Sequence, residues 1–222
     1  MNSAKIKKMT ATAVFCALAF VLTYIKIPVL FLSLEVKDAA IVLATLLFGP
    51  IEGLLIAIVV PFLEMITHSG TGIYGFVMNV LSSVTFSMVA GMIYRYRKSF
   101  YGAIVGLVSG VMAVTAVMLL ANLLITPYYM TFKGSPTSMG DVAKMIPTIL
   151  LPFNFVKATL NGAIVLLLYK PLSTVLKGTG FLPRSVSNER KAENNYLRSI
   201  LVSVIAAVII AISFVIVFFV LK

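Results

Sequence analysis

Cysteine, histidine and charge are all scarce in this chain, and each scarcity removes a class of function. Cys16 is the only cysteine and His68 the only histidine. One cysteine inside an apolar run permits neither an intrachain disulfide nor a cysteine metal site. No HExxH, GxSxG or glycine-rich phosphate loop occurs. Only 11% of the 222 residues are charged, while 60% are hydrophobic and the mean hydropathy is +1.07. A soluble domain carries roughly a quarter charged residues, so the composition describes an integral membrane protein with no room for a soluble catalytic domain.

What is present is a succession of apolar runs. A span needs about 20 apolar residues, and the pattern predicts seven spans, at 9–25, 37–48, 51–67, 73–94, 101–125, 146–169 and 199–221. The basic N-terminus followed by an apolar run looks like a signal peptide. It continues into further spans without a clear cleavage site, so a retained first helix is expected. Pro28 breaks the chain after the first span, and the following loop, Ile27 to Leu34, is short and apolar. Gly49 and Pro50 turn between spans two and three, and His68 to Gly72 is a small flexible loop. Residues 176–198 read as a polar cytoplasmic linker, and 199–222 as an additional helix.

The net charge of +11 has no basic domain that would present it to nucleic acid. The lysines and arginines sit instead at span ends. A cytoplasmic N-terminus places 12 of the 18 on the inside, which fixes the orientation and puts the C-terminus outside. Asp38, Glu64, His68, Asn79, Asn122, Asn154 and Lys157 then fall in or beyond the outer half of the membrane. Asn154 and Lys157, three residues apart in span six, share a helix face. An ammonium at that depth costs at least a few kcal/mol unless it meets a cavity or a partner, so the pair points to a pocket open to the exterior.

Several segments together resemble the S components of energy-coupling factor (ECF) vitamin transporters, in particular the riboflavin-binding branch. They are Asp38 to Pro50, Gly70-Thr-Gly-Ile-Tyr-Gly75, Asn122-Leu-Leu-Ile-Thr-Pro-Tyr128, and Pro152-Phe-Asn-Phe-Val-Lys157 with Leu168-Tyr-Lys170. The resemblance covers roughly residues 9–175. It implies an all-α, six-helix S-component bundle over 1–175 in a prokaryotic cell membrane, here with one extra C-terminal transmembrane helix. It implies capture of a vitamin, most simply riboflavin, at the outer face under the apolar first loop. The implied partners are a transmembrane coupling protein and two ATPase subunits, with no cofactor, metal or catalytic residue in this chain. The small-residue motif Ala13-Val-Phe-Cys-Ala17 would be the docking face, since small residues four apart let helices approach closely. Many riboflavin-binding members carry a Lys-Asn pair in span three where this chain has Val60-Pro61, which leaves pantothenate, folate or a related heterocycle as alternatives.

Each candidate also has a plain structural reading. Asn154 can bond across helices and Lys157 can snorkel. As ligand groups, the Asn154 amide suits the donor–acceptor edge of a flavin or pterin ring, and Lys157 supplies a donor to a carbonyl. Asn122 either satisfies backbone freed by Pro127 or contacts ligand. Asn79 either makes a helix-packing bond or lines the pocket. Phe31 and Leu32 are the expected lid. Lys37 and Asp38 read as a helix start at the interface, and Glu64 with His68 as an outer helix end, too few ligands for a metal. A membrane-embedded enzyme acting on lipid or peptide would need Glu52, Glu64 or His68, which orientation places on opposite sides. A secondary carrier would need a carboxylate deep in a span.

Overall fold

The computed structural model describes residues 3–181, 204–213 and 215–216. Helix α1 (Ser3–Leu22) leads into a hairpin of β1 (Lys26–Val29) and β2 (Leu32–Glu35). Helices α2 (Lys37–Phe48), α3 (Pro50–Thr67), α4 (Gly72–Tyr96) and α5 (Phe100–Phe132) follow. A short α6 (Met139–Met145) passes through a π-helical turn, Ile146–Leu150, into α7 (Leu151–Gly178). Val204–Ser213 forms a further apolar helix, α8.

Among the described residues, four helical stretches are long and apolar enough to cross a membrane: α3, α4, α5 and the continuous run Met139–Gly178. The expectation of six spans plus one is not met by length and composition, for identifiable reasons. Lys5, Lys7 and Lys8 occupy the first two turns of α1, and α2 has only 12 residues. The linker expected at 176–198 and the span at 199–222 lie largely outside the described residues.

Helix α2 is short because it is the centre of the bundle rather than a wall of it. Every residue but Leu47 is buried, as a helix apolar all round must be. It packs against α1, α3, α4 and α7. The α4–α5 pair is set by small residues: Gly102, Gly106 and Gly110 lie four apart on the buried face of α5. A Cβ added at Gly106 would meet the Ala90 carbonyl at 2.7 Å, and one at Gly110 the Phe86 ring at 2.7 Å. Close approach of this kind supplies the van der Waals contact that lipid cannot displace. At the end of the bundle away from the hairpin, Lys8 and Glu52 pair at 2.5 Å and tie α1 to α3.

Two spans run beyond their expected limits. Helix α5 continues through Pro127 to Phe132, and the last spanning run begins at Met139, before residue 146. Its start carries a capping box in which Ser138 and Asp141 satisfy each other's backbone N–H. Pro147 falls in the π-helical turn, where the widened ladder accommodates a residue without an N–H.

The segment expected as an apolar loop is a β-hairpin, so the chain is not purely helical. Its register pairs Lys26 with Glu35, Ile27 with Leu34, Pro28 with Ser33 and Val29 with Leu32. Leu30, in the turn, has a φ of 55°, a left-handed conformation that costs a branched residue roughly 1–2 kcal/mol. A lone two-stranded hairpin is marginal, so this one must be held by what surrounds it. Val29 and Leu34 pack with Phe153, Val156 and Leu160 of α7.

Replacing Gly106 with Val should destabilise the bundle by about 1–3 kcal/mol through overpacking, read as a lowered melting temperature in detergent. Gly178→Ala, whose added Cβ meets nothing within 4 Å, should leave the melt unchanged.

Candidate functional site

Beneath the hairpin lies a buried cluster of charge. Lys37, at the first position of α2, has no exposed surface. Its ammonium lies 2.5 Å from Glu64 Oε2 and 2.6 Å from Glu35 Oε2. The contact with Glu35 Oε2 is ionic but off the direction of a hydrogen bond. Lys26 reaches Glu64 Oε1 at 2.5 Å and Glu35 Oε1 at 3.4 Å. Asn79 donates to Glu64 Oε2 at 3.1 Å, and Ser33 Oγ donates to Glu35 Oε1 at 3.0 Å. The hairpin, α2, α3 and α4 thus meet at one ionic knot.

Lys157 joins this knot at its edge. Its ammonium donates to the Ser33 carbonyl at 3.4 Å and stands 4.0 Å from Glu35 Oε2, the longest contacts of the cluster. Three ammonium groups face Glu35 and Glu64, and the Asp38 carboxylate also acts on Lys37, so the charges balance. Burial alone would push the Glu35 carboxyl up; the Lys157 and Lys37 ammonium groups outweigh it and hold the group at about 2, against an ordinary 4.5. Asp38 is satisfied separately, accepting from Ser83 Oγ at 2.5 Å and Ser82 Oγ at 3.4 Å.

Asn161 fastens three elements at once. Its Oδ1 accepts from Ala39 N at 2.8 Å, and its Nδ2 donates to the carbonyls of Glu35 and Lys157, both at 2.9 Å. It stands at the spacing that Asn154 and Lys157 begin, since 154, 157 and 161 repeat every three or four residues along one face of α7. The signal for Asn161 was therefore in the sequence. Glu35 gave none: its role depends on the hairpin, where an apolar loop was expected.

The other candidates fall out as follows. Asn154 is buried and donates to Leu150 O at 2.7 Å. Asn122 is buried, donates to Met118 O at 2.7 Å and accepts from Thr126 at 3.0 Å. Asn79 lies in the charge cluster. Phe31 and Leu32 form the half-buried turn side of the hairpin. Ala13 and Ala17 are exposed on α1, on the face away from buried Ala11, Phe15 and Ala19. Lys37, Asp38 and Glu64 are buried inside the bundle rather than placed at an interface, because each has a polar partner there. Asp38 stands in the first turn of α2 and Glu64 in the last turn of α3, so neither is the carboxylate deep in a span that a secondary carrier would need. His68 ties the ends of α1 and α3, contacting Thr23 Oγ1 at 3.1 Å and Thr67 Oγ1 at 2.8 Å and stacking on Tyr24 at 4.1 Å. Among the described residues no cluster of three or more potential metal ligands occurs.

At the same end of the bundle, an open cleft of about 660 Å³ is lined by Tyr74, Pro127, Tyr128, Thr131, Phe132, Thr137 and Met139. It is apolar and aromatic and contains none of the groups under the hairpin. The cleft offers surface for a flat ring, whereas directional donors and charge are concentrated around Lys157. The chemistry that can discriminate a ligand therefore lies under the hairpin.

Glu64→Ala would leave the half-buried Lys26 and the fully buried Lys37 ammonium groups short of a carboxylate. It should cost about 3–5 kcal/mol, measured by thermal unfolding. Glu52→Ala breaks the more exposed Lys8 pair and should cost less than about 1 kcal/mol.

A family model described as "ECF transporter, substrate-specific component" matches residues 7–169. The chain is 30% identical over 186 residues to "Riboflavin transporter RibU" of Staphylococcus aureus (strain TCH60), covering 80% of this chain and 96% of the relative. It is 27% identical over 174 residues to "Riboflavin transporter FmnP" of Bacillus subtilis (strain 168), covering 74% and 91%. A solved chain from "Structure and mechanism of the S component of a bacterial ECF transporter" superposes with a TM-score of 0.65 at 29% identity, covering 78% of this chain and 99% of that one.

Proposed function

The chain belongs to the substrate-specific components of ECF transporters, a family of transporter subunits rather than enzymes, and from that membership we propose that it captures riboflavin at the outer face of the cell membrane for ATP-driven uptake. The observation that carries the reading is the polar face of α7, where Asn154, Lys157 and Asn161 stand at helical spacing and the last two bond to the hairpin. Riboflavin presents a flat, largely apolar ring system with a donor–acceptor imide edge. One N–H of Asn154 is engaged by Leu150 O, and a primary amide has a second N–H and a carbonyl oxygen to offer that edge. Lys157 makes only long contacts, so its ammonium can turn to a ring carbonyl at little cost. Phe31 and Leu32 close over the ring from the hairpin turn, while Asn79 and Asn122 brace the walls. Apolar surroundings with a few placed polar groups are the usual form of a small-molecule site.

ATP hydrolysis is the work of two partner ATPases, transmitted through a transmembrane coupling protein. Ala13 and Ala17, exposed on α1, provide the small-residue face against which that protein docks. The N-terminus is cytoplasmic, which places the hairpin outside and the Lys8–Glu52 pair inside.

The loosely held Lys157 ammonium favours a second reading. A carboxylate would neutralise Lys157 more completely than a flavin carbonyl, so a pantothenate- or folate-like vitamin is the next ligand class. Val60 and Pro61 are buried in the core and offer such ligands no polar group from α3.

Purification of the full chain in mild detergent should yield a co-purified small molecule with a flavin absorbance spectrum and mass. A tightly held non-flavin vitamin would sink riboflavin and leave the family standing. Lys157→Ala should weaken riboflavin binding by more than about tenfold, about 1.4 kcal/mol, in an equilibrium titration with membrane insertion unaffected. Unchanged affinity would return Lys157 to a role in anchoring the hairpin alone.

A further inference from the structure

The family match ends at residue 169, yet the chain places another helix on its functional end. Ile210 and Ile216 pack on the cluster made by Val29 and Leu34 of the hairpin with Phe153, Val156 and Leu160 of α7. Ala206 and Ser213 are buried, whereas Val204, Ile205, Val208, Ile212 and Val215 are exposed. Positions 206, 210, 213 and 216 recur every three or four residues, so one face of α8 is turned to the bundle and the other to lipid. Small residues on the inner face, Ala206 and Ser213, allow the close approach that helix packing in a membrane needs.

This helix packs on the apolar cluster that one face of the hairpin shares with α7, while the ionic knot engages the hairpin's other face. We propose that α8 is a strap in cis that holds the hairpin shut, so that ligand entry and release are gated by its packing. The proposal rests on the hairpin being the roof of the ligand site. The hairpin is marginal by itself, and its Leu30 turn stores backbone strain, so removing one of its few apolar supports shifts its opening equilibrium directly. A ligand exchanging through the roof then waits on α8.

The test is hydrogen exchange of the peptide covering residues 26–35 in the full chain, with riboflavin association and dissociation rates measured alongside. Ile210→Ala/Ile216→Ala should speed exchange of the hairpin amides by about tenfold and accelerate both flavin rates. Val208→Ala/Ile212→Ala, which removes similar volume from the lipid face, should leave all three unchanged. Should the first variant fail to fold, Ile210→Val should raise the same exchange by a smaller factor. Hairpin exchange equal to that of the parent in a folded variant would overturn the strap, whatever ligand is bound. Faster exchange with no flavin bound by either protein would support the strap and remove riboflavin instead.

Discussion

Glu64 sits at the end of an apolar helix with two ammonium groups 2.5 Å from its oxygens, and the architecture of the outer end follows from keeping those charges together. A charged side chain at the centre of a membrane helix costs about 2.5–3.5 kcal/mol even on the most lenient scale. Here no single element can carry the whole set. Lys26 and Glu35 come from the hairpin, Lys37 from α2, Glu64 from α3, Asn79 from α4 and Lys157 from α7. Satisfying one charge therefore requires several elements to be in place at once. A buried network of this kind adds little net stability over an apolar replacement, but breaking one member is severe. Its effect is to fix where the hairpin lies.

The rest of the bundle makes this arrangement possible by being dense. Helix α2 is buried along almost its whole length, so Lys37 enters the interior as a consequence of the helix being central. The glycines of α5 bring it against α4 closely enough that an added methyl would strike the Ala90 carbonyl. A looser packing would admit lipid or water beside Glu64 and change the cost of every ion in the cluster. The apolar core and the ionic knot are thus one construction, since the first excludes solvent and the second is what exclusion demands of the charges left inside.

Much of this was legible in the chain and some was not, for separable reasons. Spans two to four emerged near their observed limits because Lys37, Gly49 with Pro50, and the His68 to Gly72 loop punctuate them locally. Span five ran past Pro127 because a membrane helix can absorb a proline where neighbouring groups compensate. The hairpin was hidden because each strand has only four residues, too few for their alternation to stand out beside apolar Leu30 and Phe31 of the turn. Without the hairpin, Glu35 had no assigned place, and Lys37 and Glu64 looked like interface residues. Their pairing joins positions far apart in sequence, information that periodicity does not hold. Asn154 and Lys157 were found because they share one helix face, and the same rule extended by one step reaches Asn161.

The two sides of the hairpin are held by forces of different kind, and that difference decides which edge can move. On one side, lifting the hairpin separates Glu35 and Lys26 from buried partners, and stranding a buried charge costs about 3–5 kcal/mol. On the other, Val29 and Leu34 would leave α7 and α8 for lipid or ligand. That exchange is between apolar surroundings, with no hydrophobic penalty and only packing to lose. In the proposed gating, the charged side is therefore the hinge and the apolar side the opening. Asn161, bonded to the Glu35 carbonyl and the Ala39 amide, lies at the foot of the hinge. Lys157 lies between hinge and opening, where its long contacts to Ser33 and Glu35 can give way without dismantling the knot. A helix added at the C-terminus gains most leverage over such a device through the apolar cluster at the opening side, and that is the cluster on which Ile210 and Ile216 are packed.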